Sequence, residues 1–281
     1  MKPVLILSLV TALGIGGTYL ADEPVASPSP SVYYQDENIS PLERARRSTV
    51  VLSLTDYRSG GTAILVGRKN LDSGGYRYRA LTAQHVIRGM SQKITKDGQQ
   101  ASRKITLMFQ QTFHGAPLRL KLSIDDIDWA SPTEDWASFT FDSTHRLTCV
   151  EVATKAEFLA IQSFEKIYAV GAGGLYGVMC RDGIMGATHN EHLDVIGQRS
   201  SKYPWHNQPH KFFRPYIHVW YGDSGGGVFS KEGKLIGIIN GFDILHNGFD
   251  RMPVTFSTVA VKAHLIKDLA SSSKDFFLIE E

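Results

Sequence analysis

The feature that most constrains the fold is a series of short β-type runs that starts at Ser48. STVVLSLT, GTAILVG, YRYRALTA, KITLMFQ, LRLKLSI, WASFTFD, KIYAVGA, GGGVFS and KLIGIING are each rich in β-branched, aromatic and aliphatic residues. Gly-rich or polar turns separate them, as at residues 59–61, 73–75 and 231–233. Strands of this kind bury their apolar faces only by stacking or closing sheets. One segment has strong helical character. Ser257 or Thr258 can cap it, and Val261, His264, Leu265 and Leu269 recur at helical spacing. Residues 181–215 break the β pattern; they are polar, hold four of the ten histidines and read as long loops or an insertion. The pattern predicts an all-β protein of antiparallel barrels with a C-terminal helix.

Composition narrows the class. The chain is 42% apolar and 21% charged, which excludes a disordered or fibrous protein. Its net charge of +2 does not suggest a dedicated nucleic-acid binder or a polybasic membrane protein. Cys149 and Cys180 are too few for a disulfide scaffold and lack zinc-site spacing; they could pair in an oxidising compartment or be two inert buried thiols.

The N-terminus reads as a targeting segment. Met1 and Lys2 precede an uncharged apolar run over residues 3–21, which Asp22 and Glu23 end. A signal peptide cleaved after Ala21 and an uncleaved membrane anchor both fit, because the run is just long enough to span a bilayer. Either places the rest of the chain outside the cytoplasm: periplasmic, secreted or anchored. The segmentation is then residues 1–21 as signal or anchor, 22–47 as a Pro- and Ser-rich linker or pro-segment, 48–270 as the folded domain and 271–281 as a tail. LERARR at residues 42–47 reads as a short helical turn or the end of that linker.

Three segments carry chemistry. In LTAQHV, residues 81–86, His85 follows an apolar strand, and imidazole is the side chain best suited to general-base work near neutral pH. In DWASFTF, residues 135–141, Ala137, Phe139 and Phe141 alternate, so Asp135 opens a half-buried strand from which a carboxylate can orient an imidazole. DWAS also occurs at residues 128–131, but Pro132 interrupts any strand there, which favours Asp135 over Asp128. In YGDSGGGV, residues 221–228, glycines flank Ser224 and its neighbour Asp223. Such a turn can aim the N–H groups of Gly222 and Ser224 at one point, forming an oxyanion hole beside the Ser224 hydroxyl.

His85, Asp135 and Ser224 occur in that order, and together the three motifs resemble those of the trypsin-like (chymotrypsin-fold) serine peptidases, with a bacterial or viral HtrA-like look. LTAQHV is similar to the family's LTAAHV, DWASFTF to its D-x-A-x-L strand and GDSGGG to its GDSGGP; the resemblance covers roughly residues 48–269. It implies two antiparallel six-stranded β-barrels. It also implies an exported serine endopeptidase that acts on polypeptides through a His85–Asp135–Ser224 triad and an acyl-enzyme, with no cofactor or metal. A catalytically silent peptide-binding or scaffold module of the same fold is the alternative, which labelling by a serine-directed fluorophosphonate would separate. A membrane is a partner only through an uncleaved N-terminal run.

The sequence departs from the family pattern at Gly227, where Pro is usual, and at Gln84, where a small residue is usual. HtrA-type enzymes usually have Asn at the position of Asp223. Only about a dozen residues follow Leu269, so a full HtrA protein with its peptide-binding module is not expected. In trypsins the counterpart of Asp223 pairs with a newly cut N-terminal amine. Residues 48–51, STVV, lack the glycines that help such a terminus insert, so the expectation is activity without cleavage after Arg47, with Asp223 on an internal donor. By resemblance, residues 218–222 (HVWYG), with His218 and Val219, form one wall of the primary pocket, and residues 240–242 (NGF), with Asn240 and Phe242, the other. No acid lies in residues 214–221 to meet Lys or Arg, and Phe242 narrows the mouth, which favours small aliphatic residues; a protonated His218 selecting acidic residues is the rival. His189, His192, His206 and His210 could bind zinc only if both pairs met, and a polar loop explains them more cheaply.

Overall fold

The computed structural model describes residues 39–53, 60–96, 104–113, 116–123, 127–175, 177–188, 208–246 and 251–270. The apolar N-terminal run, the C-terminal tail, His189, His192 and His206 lie outside these residues. Helix α1 (Pro41–Arg47) leads into β1 (Thr49–Ser53), β2 (Gly60–Asn70), β3 (Tyr76–Thr82), α2 (Gln84–Lys96), β4 (Lys104–Phe113), β5 (Ala116–Ser123), β6 (Trp129–Ser131) and β7 (Trp136–Ser143). A connection containing α3 (Lys155–Ala160) leads to β8 (Lys166–Gly171), β9 (Met179–Ala187), β10 (Phe212–Ile217), β11 (Gly227–Ser230), β12 (Leu235–His246), β13 (Arg251–Lys262) and α4 (Ala263–Ala270).

The second half closes into a six-stranded barrel, β10-β13-β12-β11-β8-β9, and the first is a seven-stranded sheet, β5-β4-β1-β2-β3-β7-β6. This is the chymotrypsin-like two-barrel plan, with one barrel closed and the other a half-barrel. The first half was expected to hold six strands. It holds seven, and at its edge, where β6 pairs with β7, the two DWAS copies lie side by side: Trp129 pairs with Ser138, Ala130 with Ala137 and Ser131 with Trp136.

The barrel strands are apolar on both faces. Phe213, Val228, Ile236 and Ile239 fill the barrel interior, while their neighbours Phe212, Phe229, Leu235 and Ile238 pack outward against Ile64, Leu81 and Trp136 of the first sheet. This explains why KLIGIING is a continuous apolar run where DWASFTF alternates. The shared core forms a seam between the two halves, and the site lies along it. Ala45 of α1 is fully buried in that core, and Ser40 caps the helix by accepting from Glu43 N–H. The folded unit therefore takes in residues that composition assigns to the linker.

Two helical readings change. Residues 257–262 are strand, because Val261 pairs with both Phe212 and Ile238 and thereby closes the barrel; the helix starts only at Ala263. Helix α2 was not foreseen, although Val86, Ile87 and Met90 carry its buried stripe. Cys149 and Cys180 are free thiols, Cys149 buried and Cys180 half-buried; burial pushes the Cys180 thiol up.

Candidate active site

His85 is the second residue of α2. Its ring Nδ1 lies 2.8 Å from Asp135 Oδ2, and its backbone N–H donates to Asp135 Oδ1 at 2.8 Å. One carboxylate thus aligns the imidazole and satisfies an N–H that the first helical turn leaves without an intrahelical partner. A carboxylate on Nδ1 places the proton there and leaves Nε2 as the basic nitrogen. Asp135 is 4% exposed and has φ 55°, a left-handed conformation that Asp tolerates better than most residues.

Asn240 of β12 grips the same residue. Its Nδ2 donates to the Asp135 carbonyl at 2.7 Å and to Oδ2 at 3.1 Å, and its Oδ1 accepts from Val261 N–H at 2.8 Å. Asn240 was expected in the pocket wall. Its buried amide is instead committed to Asp135 and the β13 backbone. Asp128 lies elsewhere: it accepts from Thr140 at 3.3 Å and pairs with Arg79 at 3.5 Å.

Ser224 sits on the turn between β10 and β11, and backbone bonds hold that turn against the first sheet. Thr62 N–H donates to Ser224 O at 2.9 Å, Thr62 Oγ1 donates to Gly222 O at 2.8 Å and accepts from Ala172 N–H at 3.0 Å. Thr82 Oγ1 donates to Thr62 O at 2.6 Å. Gly225, at φ 83°, lies so close to this seam that a Cβ would stand 2.0 Å from Thr62 O and 2.2 Å from Thr82 Oγ1. The turn therefore abuts the end of β3, three residues before His85. Ser224 Oγ makes no hydrogen bond to His85 among the described residues.

The peptides of the turn have fixed orientations. Asp223 N–H donates to Trp220 O at 3.0 Å, closing a turn with Gly222 at φ 100°, where a type II turn requires glycine. Tyr221 O accepts from Gly174 N–H at 2.7 Å, so the Gly222 N–H of the same trans peptide points the opposite way. Asp223 O accepts from Gly226 N–H at 2.8 Å, which turns the Ser224 N–H in the same manner. Neither N–H donates to an acceptor among the described residues. Two such donors on one turn can stabilise a developing oxyanion, typically by roughly 3–4 kcal/mol for one donor.

Asp223 is fully buried. Its Oδ2 accepts from Arg181 Nη1 at 2.8 Å and from Trp220 N–H at 2.7 Å. Arg181, on β9, is thus the internal donor that a buried carboxylate needs. Ser48 is fully buried as well, with its N–H on Arg44 O at 3.0 Å and its Oγ on Ala45 O at 2.8 Å, so the Arg47–Ser48 bond lies at a packed helix end.

A trypsin-like peptidase domain is matched over residues 61–238, which spans Thr62, His85, Asp135, Arg181 and Ser224. The chain belongs to the trypsin-like peptidase family. Comparison with curated proteins finds no match. Among solved structures, the chain is similar to an HtrA-type protease, AlgW, with a tripeptide, at 17% identity and a TM-score of 0.58, over 84% of this chain and 62% of that one. A serine-to-alanine variant of AlgW with a tripeptide is similar to the same degree, over 84% of this chain and 63% of that one. At this identity the likeness is one of fold. The chain spans less than two thirds of the length of these proteases.

The remaining residues expected at the peptidase's pocket divide. Val219 is 1% exposed and packs in the barrel core, His218 is half-buried, and Phe242 is half-buried on β12. Phe242 stacks on Trp220 at 6.3 Å and 9°, and Tyr221 meets it edge-on at 5.3 Å. Trp220 and Tyr221 belong to the wall expected over residues 218–222, and their rings meet Phe242 of the opposite wall. Among the described residues no group of three or more His, Cys, Asp or Glu could hold a metal ion, and no helix is long and apolar enough to cross a membrane. Nothing in the sequence marked Thr62, Arg181 or the orienting role of Asn240, because each acts through a partner distant along the chain.

Proposed function

We propose that this peptidase is an exported serine endopeptidase that hydrolyses polypeptides through His85, Asp135 and Ser224. The observation that carries this reading is the Asp135 carboxylate seated on His85 Nδ1 beside a Ser224 turn whose two N–H groups have no acceptor among the described residues. His85 Nε2 takes the Ser224 proton as Oγ attacks the scissile carbonyl, and Gly222 and Ser224 N–H receive the oxyanion. The tetrahedral adduct collapses, His85 protonates the departing amine, and an acyl-enzyme remains. Water activated by His85 then releases the acid. Asp135 holds the tautomer and stabilises the imidazolium without taking the proton. A hydrogen bond from Ser224 Oγ to His85 Nε2 must form when substrate binds.

The Arg181–Asp223 pair supports activity without cleavage after Arg47, since the turn has its counter-charge from within the chain. The Trp220–Phe242 stack joins the two walls of the primary pocket and supports a preference for small aliphatic residues before the cut. The apolar N-terminal run supports export, and the near-neutral charge supports polypeptide rather than nucleic-acid partners. The test is cleavage of a proteome-derived peptide library by the wild-type chain and Ser224→Ala. Cuts after Ala or Val that vanish in the variant support the reading. Equal cleavage by both chains overturns the nucleophile, and a preference for Lys, Arg or large aromatics overturns the pocket.

A further inference from the structure

Asp135 stands in a left-handed conformation between two residues that the triad does not use. Glu134, before it, is 7% exposed, and Trp136, after it, is fully buried in the core that joins the two halves. The Glu134 carboxylate bridges across Asp135. Its Oε2 accepts from Trp136 Nε1 at 2.9 Å and from Ser131 Oγ at 3.3 Å, and its Oε1 pairs with Lys211 Nζ. These donors come from the residue after Asp135, from the end of β6 and from the short 3-10 turn (Pro209–Lys211) that leads into β10 of the barrel. Lys211 lies one residue before Phe212, which packs in the same core as Trp136.

We infer that Glu134 is a positioning residue for the peptidase reaction: it locks the turn that presents the Asp135 carboxylate to His85. A left-handed residue with a side chain costs on the order of 1 kcal/mol and persists only where its surroundings over-determine it. Here the surroundings are Asn240 on one flank and the Glu134 bridge on the other, and both run to the barrel. Burial pushes the Glu134 carboxyl up, but the bonds from Lys211, Trp136 and Ser131 outweigh burial and hold it below the usual range. The bridge is therefore ionised at neutral pH. It fixes the Asp135 turn to the half of the molecule that carries Ser224, so the acid and the nucleophile share one frame. Misplacing a catalytic group by about 1 Å is enough to slow turnover by about 10²-fold.

The inference rests on the serine-endopeptidase reading, and its test separates the two. Burst titration counts competent sites, and steady-state kinetics then give kcat per site for wild type, Glu134→Gln, Lys211→Met and Lys211→Arg. Glu134→Gln should lower kcat per site by about 10²-fold with KM within about twofold. Lys211→Met should shift kcat the same way by less, and Lys211→Arg should restore it. A merely structural Glu134 would reduce the number of competent sites and leave kcat per site intact, and that result would overturn the inference. A wild-type chain without any burst is a different result; it removes the serine-peptidase reading itself, and the positioning role falls with it.

Discussion

The two halves of the molecule hold the side chains of the candidate site in different ways. On the first sheet, His85 and Asp135 are fixed by a few side-chain hydrogen bonds to each other and to Asn240. On the barrel, Ser224 is fixed by its backbone: the carbonyls of Tyr221, Gly222, Asp223 and Ser224 each accept a bond, and a buried ion pair backs the turn. The difference teaches where each half is vulnerable. Exchanging one polar atom in the first half should leave the fold and, on the proposed mechanism, misdirect a proton. In the second half the turn itself is the device, so a change there removes conformation before it removes chemistry.

The largest effect sharpens the first half of this comparison. Asp135→Asn keeps the shape and should lower turnover by about 10⁴-fold, since the amide favours the wrong imidazole tautomer. Asp128→Asn should leave turnover nearly unchanged, as Asp128 bonds to Arg79 and Thr140 instead. Steady-state kinetics on the folded variants decide between them; the opposite pattern would move the orienting acid to Asp128.

Arg181→Met breaks the second half. It leaves Asp223 buried without its cation, which should cost roughly 3–5 kcal/mol of stability and collapse the Gly222–Ser224 turn. Chemical denaturation reads the first effect and loss of the burst reads the second. Mass spectrometry of wild-type enzyme with full activity should find protein that begins before Ser48. Activity confined to protein beginning at Ser48 would show that Arg181 does not replace a new terminus.

Thr62→Val probes the seam between the halves. It strands Gly222 O and Ala172 N–H, each bonded to Thr62 Oγ1, and should cost about 1–3 kcal/mol with a smaller loss of rate. A neutral result by thermal denaturation would mean that the seam is held by its apolar core alone.

The smallest effect lies away from both halves of the site. Lys234 and the Thr154 N–H lower the Glu157 carboxyl from its ordinary 4.5 to about 2, and Arg46 and Arg47 lower Glu43 to about 2. Depressed carboxyls contribute stability above their unfolded values and lose it as pH falls through the folded ones. Thermal midpoints should therefore fall between pH 4.5 and about 2. Solvent screening limits each group to about 1 kcal/mol. Glu157→Gln should flatten that slope, and an unchanged slope would leave the α3 cap out of the acid response.

The β runs, their turns and the three motifs were legible because each is local: alternation marks a face, and Gly-Asp-Ser-Gly-Gly marks a turn. What was not legible depends on closure. Residues 257–262 have helical spacing but become strand because β10 and β12 leave a slot between them. Asn240 looks like a pocket residue by position, yet its amide faces Asp135, 105 residues away. Arg181 sits in a polar stretch that reads as loop, and only the pairing of β8 with β9 brings it to Asp223. The β6–β7 pairing was written in the sequence as the DWAS echo, although the echo alone does not say that its copies would lie side by side.

Activation of one serine, on the barrel, by a histidine on the other half is tested by mass-spectrometric mapping of a fluorophosphonate adduct on the wild-type chain and on His85→Ala. One adduct, on Ser224, should form rapidly in wild type and be slowed by orders of magnitude in the variant, as that activation requires. An adduct on another residue, or equal rates in the two chains, would contradict it.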